Sequence, residues 1–296
     1  DLLTLMKSDV ESPGLLIDIK RIAELDDLIE LTSDGLRLGA LATISEIQHD
    51  PLVRSLHPAL AEAAGVAATP QLRNMAMIGG NLLQRPRCWY FRDSEISCWL
   101  KGGDTCPAAE AEGENQFHAI LGESPCHAVH PSDLATVLVA LDARIVVRGK
   151  REERTLPIEE FFSLPTEHRR IEHTLAKDEL IVAIVIPDVP SATRSTYLKA
   201  MDRKVWAFAL VGAAVQVTIA DGIITRARVV LGGVAPIPWR VPAAESALIG
   251  SAADPDLLER AAAIAVAGAR PLSKNAYKVQ LAKTLMERAL ATAMAV

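Results

Sequence analysis

Residues 187–193, PDVPSAT, split the chain into two stretches with different patterning. Two prolines this close together cannot lie inside a strand ladder or a helix, so a boundary belongs near 188–192. Before it, strand-like and helical runs alternate. GLLIDI (14–19) and LRLGALAT (36–43) read as buried strands, and HPALAEAAGVAA (57–68) as an Ala-rich helix. SDLATVLVALDA (132–143) is a second helix with Ser132 or Asp133 at its mouth, followed by the strands RIVVRG and DELIVAIVIPD. After the boundary come three antiparallel strands, STYLKAMDR, FALVGAAVQVTI and ITRARVVLGGV. The last two are joined by an Ala-Asp-Gly turn at 220–222. Three helices, near 242–249, 255–269 and 274–295, complete the chain. The class is α+β in both halves, residues 1–188 and 192–296. No strand–GxGxxG–helix unit opens a Rossmann fold.

A net charge of −6 and the lack of any dense basic run give no nucleic-acid face. AFALVGAAVQVTIA (207–220) is too short to cross a bilayer and is broken by Gln216, so no membrane span is expected. The opening DLLTLMKSDV lacks the basic region and small-residue cleavage site of a signal peptide. Leu2, Leu3, Leu5 and Met6 instead recur as an apolar helix face, as though the chain began inside a domain.

All four cysteines, Cys88, Cys98, Cys106 and Cys126, fall within 39 residues of a 296-residue chain, so their clustering needs a cause. A chain this long does not need disulfide staples. Zinc sites favour tight pairs, whereas the gaps here are nine, seven and nineteen residues, although His118, His127 and His130 offer further ligands. Four thiolates also suffice for a [4Fe–4S] cube, whose spacing varies widely. The residues leave these three readings open and favour the cluster slightly. The segment is loop-like and carries Trp89, Tyr90, Phe91 and Trp99, rings able to exclude water from a cluster or to form a small core.

MIGGN (77–81) lets a ligand approach the backbone, because glycine has no Cβ, and successive amides there can cradle a diphosphate. A plain tight turn would explain it equally. LGGVAP (231–236) reads as a turn or bulge after a strand.

Taken together, TPQLRNMAMIGGNLLQ, HPSDLATVLVALDA, DELIVAIVIP, YLKAMDRKVWAFALVGAA and LGGVAPIPWR resemble the FAD-binding medium subunits of the molybdenum hydroxylases. That family includes xanthine dehydrogenase, carbon monoxide dehydrogenase and the aldehyde oxidoreductases. The motifs keep the family's order across essentially the whole chain. The cysteine-rich insertion, 85–128, is similar to that of the subset bearing an extra [4Fe–4S] cluster, found in periplasmic-type aldehyde oxidoreductases.

This resemblance implies an FAD-binding domain followed by a smaller domain of the CO-dehydrogenase-flavoprotein type. Ile78, Gly79, Gly80 and Asn81 would form a flavin loop, and Asp133 would accept from flavin hydroxyls. Ile181 would line the ring site by its backbone, Lys199 would be the flavin-contacting lysine, and Cys88, Cys98, Cys106 and Cys126 would be the cluster ligands. Another flavin loop precedes LLxLMK in the family. Asp1 falls where that loop ends, so this stretch by itself is expected to hold FAD weakly. The implied role is electron transfer rather than chemistry on the organic substrate. Electrons would pass from a [2Fe–2S] small subunit through FAD to an external acceptor, beside a molybdopterin-containing large subunit. Export to the periplasm within a complex is the implied location, with the cytoplasm as the alternative. A zinc- or disulfide-stapled scaffold without redox activity is the rival reading. A stand-alone flavin reductase would need a substrate acid and base that the sequence does not offer.

Overall fold

The computed structural model describes residues 1–295 and contains two antiparallel sheets packed through helices. The first sheet has five strands: β1 (Ile29–Thr32), β2 (Gly35–Gly39), β3 (Arg144–Arg148), β4 (Glu153–Pro157) and β5 (Leu180–Ile186), in the order β1-β2-β5-β3-β4. The second is β6 (Thr193–Ala200), β7 (Val211–Ala220), β8 (Ile223–Gly232) and β9 (Trp239–Arg240), in sequence order. The β7–β8 connection is the two-residue Asp221-Gly222 turn. Both residues have positive φ, the geometry that matches the twist of a hairpin.

β7 is buried over eight successive residues because both its faces are covered. Val211, Ala213, Val215 and Val217 point toward a core closed by the helices Pro242–Leu248, Pro255–Ala265 and Tyr277–Met294. Ala214, with Val230 and Tyr197, faces a different core, which belongs to the first half of the chain. Two helices of that half, Pro58–Val66 and Asp133–Ala140, press on the second sheet. All eight residues of Asp133–Ala140 are buried, as a helix apolar on every side must be.

Several helix starts follow from their caps. Thr43 accepts from the Glu46 amide while Glu46 returns to the Thr43 amide, a capping box that opens Ile44–His49. Pro58 begins Pro58–Val66 at the first helical position, where its missing N–H costs nothing. Ser132, not Asp133, caps Asp133–Ala140 by accepting from the Ala135 amide.

The strand expected over 14–19 does not form. Residues 14–18 are irregular, Ile19–Arg21 is a single 3₁₀ turn, and Leu15, Leu16 and Ile17 are exposed. Apolar residues are not enough for a strand, which also needs a ladder partner, and among the described residues none pairs with this segment. The strands β1 and β4 add to the expected elements, and β2 stops at Gly39 rather than Thr43. Among the described residues no helix is long and apolar enough to cross a membrane.

Candidate functional site

The site lies where the two halves meet. Asp133 occupies the first position of its buried helix, and Tyr197 and Lys199 stand two residues apart on β6, on one face of the strand. The Tyr197 hydroxyl donates to Asp133 Oδ1 at 2.6 Å, and Lys199 Nζ donates to Asp133 Oδ2 at 2.8 Å. Both charged side chains are withdrawn from water, at 2% exposure for Lys199 and 6% for Asp133. Lys199 also donates to the Val66 carbonyl at 3.1 Å, which uses two of its three N–H bonds. Burial pushes the Asp133 carboxyl upward, and the Lys199 ammonium and the Tyr197 hydroxyl pull it back. Burial and the neighbouring carboxylate together push the Tyr197 phenol far up, so Tyr197 remains a donor. Gly212, which pairs with Lys199 on β7, makes room for the phenol: a Cβ there would lie 2.5 Å from the Tyr197 hydroxyl.

The Gly-Gly-Asn loop forms a short helical turn, Ile78–Leu82, tied at both ends. The Ile78 and Gly79 amides donate to the Ala42 and Ala40 carbonyls at 2.9 and 3.0 Å. Those two donors, expected to face a ligand, instead fasten the loop to the end of β2. Gly79 has Ala40 against it, whereas Gly80 is exposed and a Cβ there would meet nothing within 4 Å. The open backbone position is therefore Gly80. Asn81 Oδ1 accepts from the Ser132 hydroxyl at 2.5 Å, which joins this loop to the helix carrying Asp133. Ile181 sits in the first core on β5, next to Val182, whose carbonyl accepts from the Ala40 amide.

A cleft of about 350 Å³ opens beside this joint. Its walls include Cys88, Trp89, His118, Ser132, Asp133 and Tyr197, so it runs between the cysteine insertion and the buried carboxylate. Lys199 stands behind Asp133. Also on the wall is His130, buried at 6% exposure rather than solvated as a loop histidine would be. The His130 ring packs edge-on against Phe162 at 4.8 Å, and its Nδ1 accepts from the Ser132 amide. LGGVAP is a turn as expected, with Gly233 at φ +69° directly after β8.

All four cysteines are free thiols, so the disulfide reading is not met. Cys88, Cys98 and Cys126 belong to a small apolar cluster with Leu5, Phe91, Trp99, Leu100 and Ala128. The four stand near one another: Cys98 and Cys106 act electrostatically on Cys88, and Cys106 and Cys88 on Cys126. Burial pushes the Cys88 thiol up to about 11 and the Cys126 thiol well above its usual value. Among the described residues no group of three or more His, Cys, Asp or Glu side chains is arranged to hold a metal ion. The rival zinc reading with histidine ligands finds no ready site there, and His130 is committed to Ser132 and Phe162 instead.

Residues 1–189 match the family model of the FAD binding domain in molybdopterin dehydrogenase. The chain belongs to the FAD-binding medium subunits of the molybdenum hydroxylases. Residues 196–293 match the CO dehydrogenase flavoprotein C-terminal domain. The aldehyde oxidoreductase FAD-binding subunit PaoB of Escherichia coli (strain K12) is 38% identical over 100% of this chain and 89% of its own length. The carbon monoxide dehydrogenase medium chain of Hydrogenophaga pseudoflava is 29% identical over 99% of this chain and 86% of its own. A solved carbon monoxide dehydrogenase from that organism, lacking the Mo-pyranopterin moiety, superposes with a TM-score of 0.77 at 28% identity, covering 99% of this chain and 86% of that one. This chain is accordingly a flavoprotein subunit of an oxidoreductase complex, built as a mixture of helices and antiparallel sheets.

Tyr197 carried no assignment in the sequence, and Ser132 only that of a candidate helix cap. The period of two in STYLKA puts Tyr197 on the face of Lys199, and that spacing was the available signal. Nothing local in the sequence announces the Ser132–Asn81 bond, which spans 51 positions.

The buried pair predicts strong coupling. Lys199→Met should cost about 3–5 kcal/mol in denaturant unfolding, because it strands a buried carboxylate. Adding Asp133→Asn should recover part of that loss. Additive losses would show that the pair is not coupled. The cleft histidine predicts a pH dependence. Burial holds His130 at about 3, below its ordinary 6.5, so its neutral form stabilises the fold fully above 6.5. That contribution is lost as pH falls from 6.5 toward 3, by at most about 1.4 kcal/mol per pH unit. His130→Gln should flatten the stability–pH curve in this window, and an unchanged slope would refute the assignment.

Proposed function

We propose that this chain is the FAD- and [4Fe–4S]-bearing electron-transfer subunit of a heterotrimeric, aldehyde-oxidising molybdenum hydroxylase. In this reading electrons arrive from a [2Fe–2S] small subunit and leave through FAD to an external acceptor, while a molybdopterin-containing large subunit oxidises the organic substrate. Full-length similarity to an aldehyde oxidoreductase FAD-binding subunit supports the substrate class. Export to the periplasm as part of the folded complex goes with the same reading.

One observation carries the cluster assignment. All four cysteines of the chain are free; Cys88, Cys98 and Cys126 meet in one small apolar cluster, and Cys88 lines the cleft together with Asp133. The donor set fits the group. Each thiolate of a [4Fe–4S] cube holds its own iron, so the ligands stand further apart than around a single ion. The aromatic and aliphatic neighbours exclude water, and iron charge would stabilise the thiolates that burial now disfavours.

For FAD, the residues that would hold it are Gly80 and Asn81 with the loop of Ile78 and Gly79, together with Asp133, Ile181 and Lys199. Flavin when bound supplies exchange between one-electron and two-electron carriers. The chain's own contribution is rigidity and charge. Exposed Gly80 lets a ligand reach the backbone, and the Asn81–Ser132 bond fixes the loop against the Asp133 helix. Lys199 keeps one N–H beyond those given to Asp133 and Val66, a cationic donor suited to an electron-rich oxygen or nitrogen.

Metal and flavin content test the proposal. In the anaerobically purified complex, about four irons per copy of this chain are expected beyond those of the small subunit, with one extractable FAD. Dithionite reduction should add a low-temperature EPR signal to those of the [2Fe–2S] centres. One zinc, or no metal, in this chain would refute the cluster and leave a flavin subunit with a structural insertion.

A further inference from the structure

His118 lies on the part of the insertion that the C-terminal helix holds most firmly. Its carbonyl accepts from Asn275 Nδ2 and Lys278 Nζ, each at 3.1 Å, and Lys278 also binds the carbonyls of Phe117 and Gly233 at 3.0 and 2.6 Å. Asn275 and Lys278 are both fully buried, so this backbone cannot drift without leaving an ammonium or an amide unpaired. The imidazole is buried too, with Trp89 edge-on at 5.8 Å. Held there, His118 Nε2 meets Cys88 Sγ at 3.2 Å.

The other ring nitrogen settles which atom carries the proton. Nδ1 of His118 is buried and has no partner among the described residues. A buried N–H without an acceptor is costly, and a neutral imidazole places its single proton where an acceptor exists. The proton therefore sits on Nε2, aimed at sulfur.

We propose that His118 is a positioning residue that donates an N–H···S hydrogen bond to Cys88 and thereby raises the reduction potential of whatever centre that thiolate holds. The proposal rests on the [4Fe–4S] reading above. A hydrogen bond to a ligating sulfur withdraws electron density and favours the reduced, more negative state. Of the four cysteines, Cys88 is the one that lines the cleft shared with Asp133, so the effect falls on the side of the centre that faces that cleft.

Redox titration followed by EPR, on the anaerobically purified complex, compares the native protein with His118→Phe and His118→Gln. His118→Phe keeps an aromatic group against Trp89 but has no donor, and its midpoint potential should fall. His118→Gln keeps an N–H and should stay nearer the native value. A His118→Phe protein with full iron content and an unshifted potential would overturn the proposal. Should that variant lose iron, the native protein labelled with ¹⁵N-histidine decides. Electron–nuclear double resonance should then show a histidine nitrogen coupled to the reduced centre, and no coupling would overturn the proposal. Absence of iron from the native chain would instead remove the reading beneath it, and iron analysis alone separates that outcome from a failure of His118.

Discussion

A carboxylate and an ammonium, both out of water, join the two halves of this molecule. Asp133 comes from a helix of the first half and Lys199 from a strand of the second, and the Tyr197 hydroxyl takes the other carboxylate oxygen. Such a pair adds little net stability over an apolar substitute, because desolvating each ion offsets most of their attraction. It does specify register. Only one placement of β6 against the Asp133 helix satisfies both charges, and Gly212 on β7 makes room for the phenol that completes the set. The cleft, the loop at Gly80 and the position of Ser132 all depend on that placement.

The cysteine insertion is fixed by a comparable device at its far end. It has little regular structure and only a small apolar cluster of its own. Polar side chains at the start of the C-terminal helix bind its carbonyls instead. Asn275 and Lys278 reach residues 117–119, and the Tyr277 hydroxyl reaches Gln116. A segment with so few regular turns contributes little to its own stability, so it is held by groups that cannot be left unpaired. The result places Cys88 on one wall of the cleft and Asp133 on another, joined by a segment with only short helical turns.

Much of this was legible in the sequence where local rules decide. The Asp-Gly turn, the buried Asp133–Ala140 helix, the long β7–β8 hairpin and the three C-terminal helices follow from periodicity and turn chemistry. GLLIDI misled because its composition suits a strand, while strand formation depends on a neighbour, and that is not a local property. In the candidate site, Asp133, Lys199, the Gly-Gly-Asn loop and the cysteines could be picked out by type and resemblance. Their mutual arrangement could not. That Asp133 and Lys199 bind each other, that Ile78 and Gly79 spend their amides on β2's continuation, and that His130 is buried all depend on contacts between distant parts of the chain.

The central claim is that flavin is held at the joint between the halves, against Gly80, Asn81 and the Asp133–Lys199 pair. A crystal structure of the FAD-loaded protein tests this most directly. The account predicts flavin atoms in hydrogen-bonding contact with the Gly80 backbone and with Asp133 or Lys199. Flavin bound elsewhere, with that pair and the Gly80 amide making no contact to it, would contradict the account.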